Sequence, residues 1–229
     1  MPSSNYIVIP KVSSERRHYI PIGYIEPEIL SSDLVFIIPN ATFYHFGILT
    51  SSVHMAWMRA VCGRLEMRYR YSNTIVYNNF PWPGKDAGKE VTGKDGLPTV
   101  QKWKGINTDG QETVQETKNR KPSVIARSGA TKQSFANAPK IAAPTARNDG
   151  AEQRAKIART AQGILDARAL YPDCSLADLY DETTMPPELR RAHEANDRAV
   201  MAAYGFDPAM TESEIVAELF KMYEELARK

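Results

Sequence analysis

The sequence has few cysteines, no long apolar run and almost no net charge. The first two shortages argue against a disulfide-rich secreted protein and against a membrane protein. Cys62 and Cys174 are its only cysteines. They predict two reduced thiols, since disulfide frameworks belong to small cysteine-rich secreted chains. No apolar run approaches the roughly 20 residues of a membrane span, and the first ten residues, MPSSNYIVIP, lack the basic and apolar regions of a signal peptide. We therefore expect a cytoplasmic protein with no membrane partner.

Several chemical signatures are also missing. Two cysteines and four scattered histidines are a poor ligand set for zinc, so no metal site is predicted. The sequence has no Gly-rich phosphate loop and no convincing pair of acids with a lysine in a strand setting. The histidines lack a nucleophile or carboxylate partner at a telling spacing, which favours structural roles for all four: His18, His45, His54 and His193. No catalytic residue is predicted in this chain.

The first part of the chain, residues 1–83, predicts a β-rich module with one main helix. Short strands are expected over Tyr6–Ile9, within RRHYIPIGYI, and over Leu34–Ile38, and the aromatic and β-branched run Thr42–Leu49 is also typical of a strand. A helix follows, capped by Thr50, Ser51 or Ser52 and ending around Gly63 to Leu65. The strand pattern returns over Tyr69–Tyr77. These elements favour a curved sheet with one helix beside it.

The remainder divides into a polar segment and a helical tail. Residues 84–150 lack a sustained apolar period and are expected to be a disordered insertion or, alternatively, a natural flexible linker. Residues 151–229 predict a small all-α subdomain. Its helices are marked by an Ala-rich apolar stripe from Ala151, a Ser175 cap, a Pro186-Pro187 start with a Gly205 end, and a Thr211 cap with Glu214. The predicted fold class is α+β.

The net charge of +2 neither supports nor excludes a polyanionic partner, so clustered arginines must decide. Such a cluster occurs between Ser51 and Pro83, where guanidinium groups alternate with tyrosines: Arg59, Arg64, Arg68, Tyr69, Arg70 and Tyr71. Planar guanidinium forks match phosphates and guanine edges, which indicates nucleic-acid chemistry. Trp57, Phe80 and Trp82 occupy apolar helix positions or lie beside proline, so packing is favoured over base stacking.

The phrases FGILTSSVHMAW, CGRLEMRYRYS and VYNNFPWP resemble the target-recognition region of the MmeI-like family of DNA adenine methyltransferases and fused restriction-modification enzymes. The phrases SLADLYDETTMPPELRRAH and DRAVMAAYGF resemble the helical region that closes the same proteins. The resemblance implies a double-stranded DNA partner. It also implies that S-adenosylmethionine serves the full-length enzyme.

The cofactor loop and the Asn-Pro-Pro-Tyr type motif of such enzymes do not occur in this sequence. The chain is therefore expected to correspond to the C-terminal portion of a longer enzyme, from a gene that is truncated or split, with a separate catalytic chain as one alternative. Alone it is expected to transfer no methyl group and to bind no cofactor.

Glu66 and Arg68 are the predicted base-reading residues. A carboxylate accepts from the cytosine amino group and an arginine donates to guanine, so the pair suits one C·G pair. The resemblance implies that charged pairs at this place, Glu-x-Arg here and Lys-x-Asp in relatives, follow the base that is read; a solvated charge pair is the alternative. Phosphate contact or a solubilising surface role is predicted for a second set: Arg16, Arg17, Arg64 and Arg70. Lys11 and Asn73 are weaker candidates.

A second hypothesis from another class remains open. The tail helices could form a non-enzymatic module that docks to another protein, with residues 1–83 a degenerate remnant. DNA binding that weakens steeply with salt distinguishes a reader of phosphates from such a module.

Overall fold

The computed structural model describes residues 3–83 and 146–228, with side chains in the second range from Gly150 onward. Six strands occur in the first range: β1 (Tyr6–Pro10), β2 (Val12–Ser13), β3 (Gly23–Ile25), β4 (Val35–Ile38), β5 (Gly63–Leu65) and β6 (Arg68–Arg70). Six helices span both ranges: α1 (Phe43–Leu49), α2 (Ser52–Val61), α3 (Ala146–Ala169), α4 (Leu176–Leu179), α5 (Pro187–Tyr204) and α6 (Glu212–Ala227). The architecture is α+β, as predicted. Disorder is predicted for residues 84–150, and residues 84–145 of that segment lie outside the described residues.

Two small antiparallel sheets replace the single curved sheet that was predicted. One has the strand order β3-β1-β4 and the other β2-β6-β5. The chain passes from the first sheet to the second at Lys11, whose N–H donates to the Leu34 carbonyl at 3.0 Å and whose carbonyl accepts from the Tyr71 N–H at 2.9 Å. This backbone connection joins the end of β1, the central strand of the first sheet, to the end of the strand that carries Arg68 and Arg70.

The strand predicted over Thr42–Leu49 is wrong, because this segment forms helix α1. His45 Nδ1 accepts from the Thr42 backbone N–H at 3.1 Å, which supports the first turn. All residues from Tyr44 to Leu49 are buried. The aromatic and β-branched composition therefore reflects burial on every side of a short helix, and tertiary packing overrides the local preference for a strand.

Helix α2 begins where predicted, since the Ser51 side chain accepts from the His54 N–H at 3.4 Å. It ends at Val61, before the predicted end, and Gly63 already belongs to β5. The strand predicted over Tyr69–Tyr77 is correct only at its beginning, because Asn73–Tyr77 forms a π-helical turn. That turn is held by the Trp57 indole, which donates to the Val76 carbonyl at 2.9 Å. Burial of a tryptophan with its N–H satisfied explains the departure from a strand.

The tail has the predicted helices with one changed boundary. Helix α3 begins at Ala146 instead of Ala151 and ends at the predicted place. Ser175 with Asp178 caps α4, and Thr211 with Glu214 caps α6. Gly205 ends α5 with φ of 72°, a left-handed conformation that glycine adopts without a Cβ penalty.

The tail helices pack directly on the N-terminal part and complete its core. Trp57 of α2 is buried, and its ring centroid lies 5.1 Å from that of Phe220 and 6.0 Å from that of Tyr223, both on α6. Phe80 and Trp82 are also buried, which confirms that these aromatic residues serve packing. One hydrophobic cluster includes residues of both parts. The apolar faces of the tail helices, which the sequence predicts as a small helical subdomain, pack against the N-terminal part.

A polar seam crosses the same interface. Asp197 of α5 accepts from the Tyr19 hydroxyl at 2.6 Å and from the Ser52 backbone N–H at 2.7 Å. Nearby, the Tyr19 ring stacks on His193 with a centroid distance of 4.1 Å. Buried polar groups must be paired to avoid a desolvation cost, so these bonds fix the angle at which α5 meets α2.

The stability of the chain is expected to depend on the ionisation of Asp197. Burial raises the pKa of Asp197 to about 6, above its ordinary value of 3.8. A raised folded-state pKa means that the folded chain holds this proton more tightly, so the associated stability is present below about pH 4 and is lost as the pH rises through about 6. Relative to Asp197→Asn, the unmodified chain should therefore lose stability between these two pH values.

Urea unfolding of both proteins across that pH window measures the difference. Comparing them cancels the titration of other groups, such as His45, whose pKa burial lowers to about 4. A difference in unfolding free energy that is constant with pH, or that grows in favour of the unmodified chain as the pH rises, contradicts the prediction.

Candidate functional site

Strands β5 and β6 form a hairpin. Its two loop residues, Glu66 and Met67, are exposed and form its tip. Leu65 pairs with Arg68 at the base of the loop. Glu66 has φ of 58°, a conformation that two-residue hairpin loops require but that residues other than glycine rarely adopt. A glutamate occupies this position in spite of the local strain, so the tip carries a negatively charged side chain.

Glu66 and Arg68 are brought together at the tip. The Arg68 guanidinium donates to the Glu66 carboxylate at 2.8 Å, and the two side chains remain 49% and 77% exposed, respectively. An exposed ion pair of this kind contributes little stability. It does present an acceptor and several donors side by side to whatever approaches the tip, which is the pattern needed to read one base pair.

The hairpin and β2 form a sheet with one inner and one outer face. Tyr69 is buried on the inner face opposite Ser13, because β2 pairs with β6. Arg64 lies over the Tyr69 ring at 4.3 Å and donates to the Met67 carbonyl at 3.2 Å, so its guanidinium stabilises the hairpin from the inner side. Side chains alternate along a strand, so Arg68 and Arg70 share the outer, exposed face.

The base of the hairpin is anchored in the core by a tyrosine and a histidine. Tyr71 follows β6, and its hydroxyl lies 3.0 Å from His54 Nε2 of helix α2. Burial lowers the pKa of His54 to about 3, which keeps the imidazole neutral. The structural role predicted for this histidine is consistent with that environment, and the contact holds the hairpin at a fixed place relative to α2.

The remaining basic candidates lie in different settings. Arg17 donates to Ser13 Oγ at 3.4 Å and to the Ala177 carbonyl at 3.3 Å, which links the strand beside the hairpin to helix α4. Arg16 is exposed in the loop after β2. Lys11 donates to the Asp33 carbonyl. Asn73 begins the π-helical turn, away from the tip.

Arg59, which the sequence groups with the other arginines, is structural. It makes a two-pronged ion pair with Glu212 at 2.7 and 2.9 Å and donates to the His18 carbonyl at 3.0 Å. These bonds fasten α2 to the first turn of α6. Of the clustered arginines in the sequence, Arg59 therefore holds two helices together, whereas the others belong to the exposed hairpin: Arg64, Arg68 and Arg70.

Two exposed apolar residues at the tip were missed by sequence reasoning. Leu65 is 43% and Met67 70% exposed, and they flank Glu66. Their positions become evident only once the hairpin is known, because the loop lacks the Asn-Gly or Asp-Gly signal that marks such turns. Exposed apolar groups beside charged ones can contact the apolar edges of a ligand, such as a thymine methyl group.

The described residues offer neither a metal site nor a membrane-spanning helix. Across residues 3–83 and 150–228, no group of three or more His, Cys, Asp or Glu side chains could hold a metal ion. None of the helices within the described ranges has the length and apolarity to cross a membrane.

Comparison with known proteins gives two matches to families. The MmeI target recognition domain matches residues 1–84, and the MmeI C-terminal domain matches residues 149–229. The chain is also 31% identical over 228 residues to DNA methyltransferase A of Bacillus subtilis (strain 168), an alignment that covers 99% of this chain and 18% of that protein.

A solved structure is similar as well. The type IIL restriction-modification enzyme MmeI, determined in complex with DNA, matches with a TM-score of 0.67 and 33% identity over 100% of this chain and 22% of its own. The chain thus spans about a fifth of the length of these relatives. By both family matches and by this likeness, the chain belongs to the MmeI family, with the target recognition region followed by the C-terminal domain.

Proposed function

We propose that this chain is the DNA target-recognition region of a site-specific restriction-modification enzyme with adenine methyltransferase activity. The observation that carries the proposal is the exposed hairpin tip, where Glu66 and Arg68 lie 2.8 Å apart on a hairpin anchored to the core. Its location within the part matched by the MmeI target recognition domain supports the same function. Duplex DNA is the proposed partner.

Each residue has a defined part in the proposed contact. Glu66 and Arg68 read the edge of one C·G pair in the major groove, the carboxylate accepting from cytosine and the guanidinium donating to guanine. Arg70 on the outer face contacts one phosphate, and Arg16, which is exposed in the loop after β2, contacts another. Arg17 and Arg64 make intramolecular bonds and act mainly by holding the sheet in position.

The catalytic chemistry is assigned to another part of the enzyme. We propose that S-adenosylmethionine binds there, because this sequence has no Gly-rich cofactor loop and no Asn-Pro-Pro-Tyr type motif. In a methylation assay, the signal from this chain alone should not rise above background. The tail contributes by packing against α2 and α1, which disfavours the alternative in which its apolar faces dock to an unrelated protein.

Salt-dependent binding to duplex DNA tests the proposal. The purified chain should bind a mixed-sequence duplex, and the logarithm of the affinity should fall linearly with the logarithm of the salt concentration between about 50 and about 200 mM. Arg70→Ala should weaken binding to all sequences and reduce the salt slope by about one. Fluorescence anisotropy with a labelled duplex gives both quantities.

Arg191→Ala is the matched control for that experiment. Arg191 is an exposed arginine of α5 that pairs with Glu188 at 3.1 Å on the same helix. Its removal should leave affinity and salt slope unchanged. Absence of binding, or an equal loss in both variants, contradicts the proposed role of the hairpin.

A further inference from the structure

Gly63, the first residue of β5, is not required by the conformation of its own backbone. Helix α2 ends at Val61, and Cys62 is extended with ψ of 153°. Gly63 itself has no left-handed φ, in contrast to Gly205 at the end of α5. The usual reason for a glycine after a helix, a left-handed cap, is therefore absent.

Packing within the chain does not require this glycine either. A Cβ at Gly63 would lie 3.7 Å from the Arg70 carbonyl oxygen and 3.8 Å from Arg70 Cβ, both ordinary van der Waals distances. Glycine weakens a strand, whereas a β-branched residue favours it. The hairpin thus gives up stability at a position where any small side chain would fit.

The surface beside Gly63 is basic and open. Gly63 and Arg70 are cross-strand partners, so a side chain at position 63 would stand beside the Arg70 side chain on the outer face. Within the described ranges, the Arg70 guanidinium has no hydrogen-bond acceptor or ion-pair partner. Arg68 lies on the same face of the strand, with its Cα roughly 7 Å from that of Arg70. Two guanidinium groups therefore border a patch of bare backbone.

We propose that a phosphodiester group of the DNA backbone lies over Gly63 and is bound by the Arg70 guanidinium. The missing side chain lets the sugar-phosphate strand approach the sheet closely enough for a charge-assisted hydrogen bond, which requires an N–O distance of about 2.7–2.9 Å. This inference rests on the proposed function and adds Gly63 as a residue that positions the DNA.

Substituting Gly63 tests it. Gly63→Ala should weaken duplex binding by a few fold, and Gly63→Val by on the order of tenfold, because a larger side chain holds the phosphate farther from Arg70. Gly63→Val should also reduce the salt slope by about one, as loss of one phosphate contact does. Its thermal unfolding midpoint should be equal to or above that of the unmodified chain, since valine favours a strand.

Two further variants separate this inference from simpler explanations. In the Arg70→Ala background, Gly63→Val should cause no additional loss, because the contact that it obstructs has been removed. Gly163→Ala adds a Cβ in α3 that meets nothing within 4 Å, and should leave DNA affinity unchanged.

Three outcomes would contradict the proposed role of Gly63. Unchanged affinity in Gly63→Val, a full additional loss in the Arg70→Ala background, or a lowered unfolding midpoint overturns the role of Gly63 while leaving the proposed function in place. Failure of the unmodified chain to bind duplex DNA overturns both.

Discussion

Replacing Gly47 with alanine is expected to lower the free energy of unfolding by about 1–3 kcal/mol, the usual cost of overpacking a core. The same substitution at Gly163 is expected to raise it by about 0.5–1 kcal/mol, because alanine favours a helix interior over glycine. Two identical substitutions in helices should thus have opposite effects.

The opposite signs follow from what each new methyl group would meet. A Cβ at Gly47 would lie 2.7 Å from Ile157 Cγ2, 3.0 Å from Asn196 Oδ1 and 3.1 Å from Ala161 Cβ. These atoms belong to α3 and α5 and cannot rotate away cheaply. The Asn196 amide also donates to the Gly47 carbonyl at 2.7 Å, so moving the helices apart breaks a buried hydrogen bond. At Gly163 a Cβ meets nothing within 4 Å.

Urea unfolding of the two variants beside the unmodified chain measures both effects. A stabilised Gly47→Ala variant would mean that α1 does not lie closely against α3 and α5. The idea that the recognition region and the tail share one core would then lose its most direct support.

Exchanging the charges of the tip pair, with Glu66→Lys and Arg68→Asp together, is expected to change the preferred base at one position of the bound DNA. The exchange keeps an ion pair at the tip and the same net charge, so the hairpin should persist. It reverses which residue accepts and which donates. A well-formed bidentate contact discriminates against the wrong base by about 1–3 kcal/mol, so the change in preference should be large.

Selection of duplexes from a pool randomised over the bound region, by the unmodified chain and by the double variant, measures this preference. Lys221→Glu with Glu218→Lys exchanges an exposed pair on α6, which lies 2.6 Å apart, and serves as the control. Identical preferences of the unmodified chain and the tip variant would remove Glu66 and Arg68 from the base-reading residues.

Elements with a local sequence signal are predictable from the sequence, whereas elements set by distant packing are not. Helix α6 was predicted because Thr211 and Glu214 form a capping box within one turn. The composition of Phe43–Leu49 suggests a strand, but it is set by burial against residues of α3 and α5, such as Ile157 and Asn196, that lie more than a hundred residues away in the chain. Local patterns carry no information about such packing.

The same distinction applies to the candidate site. Glu66 and Arg68 were found because the two charges lie two residues apart in a recognisable phrase. The different roles of Arg59, Arg17 and Arg70 could not be predicted, since their partners are a distant carboxylate, a distant carbonyl and open solvent. Gly63 suggested only a helix end, and its place opposite Arg70 depends on a strand pairing that the sequence did not reveal.

Site-specific photocrosslinking shows whether the tip of the β5–β6 hairpin contacts bound DNA. A photoreactive amino acid replaces Met67, which is 70% exposed at the tip, or Leu226, which is 55% exposed on α6. We expect the probe at position 67 to crosslink to bound duplex and the probe at position 226 to give no crosslink. Duplex that remains bound without crosslinking to position 67, or that crosslinks only to position 226, would contradict that expectation.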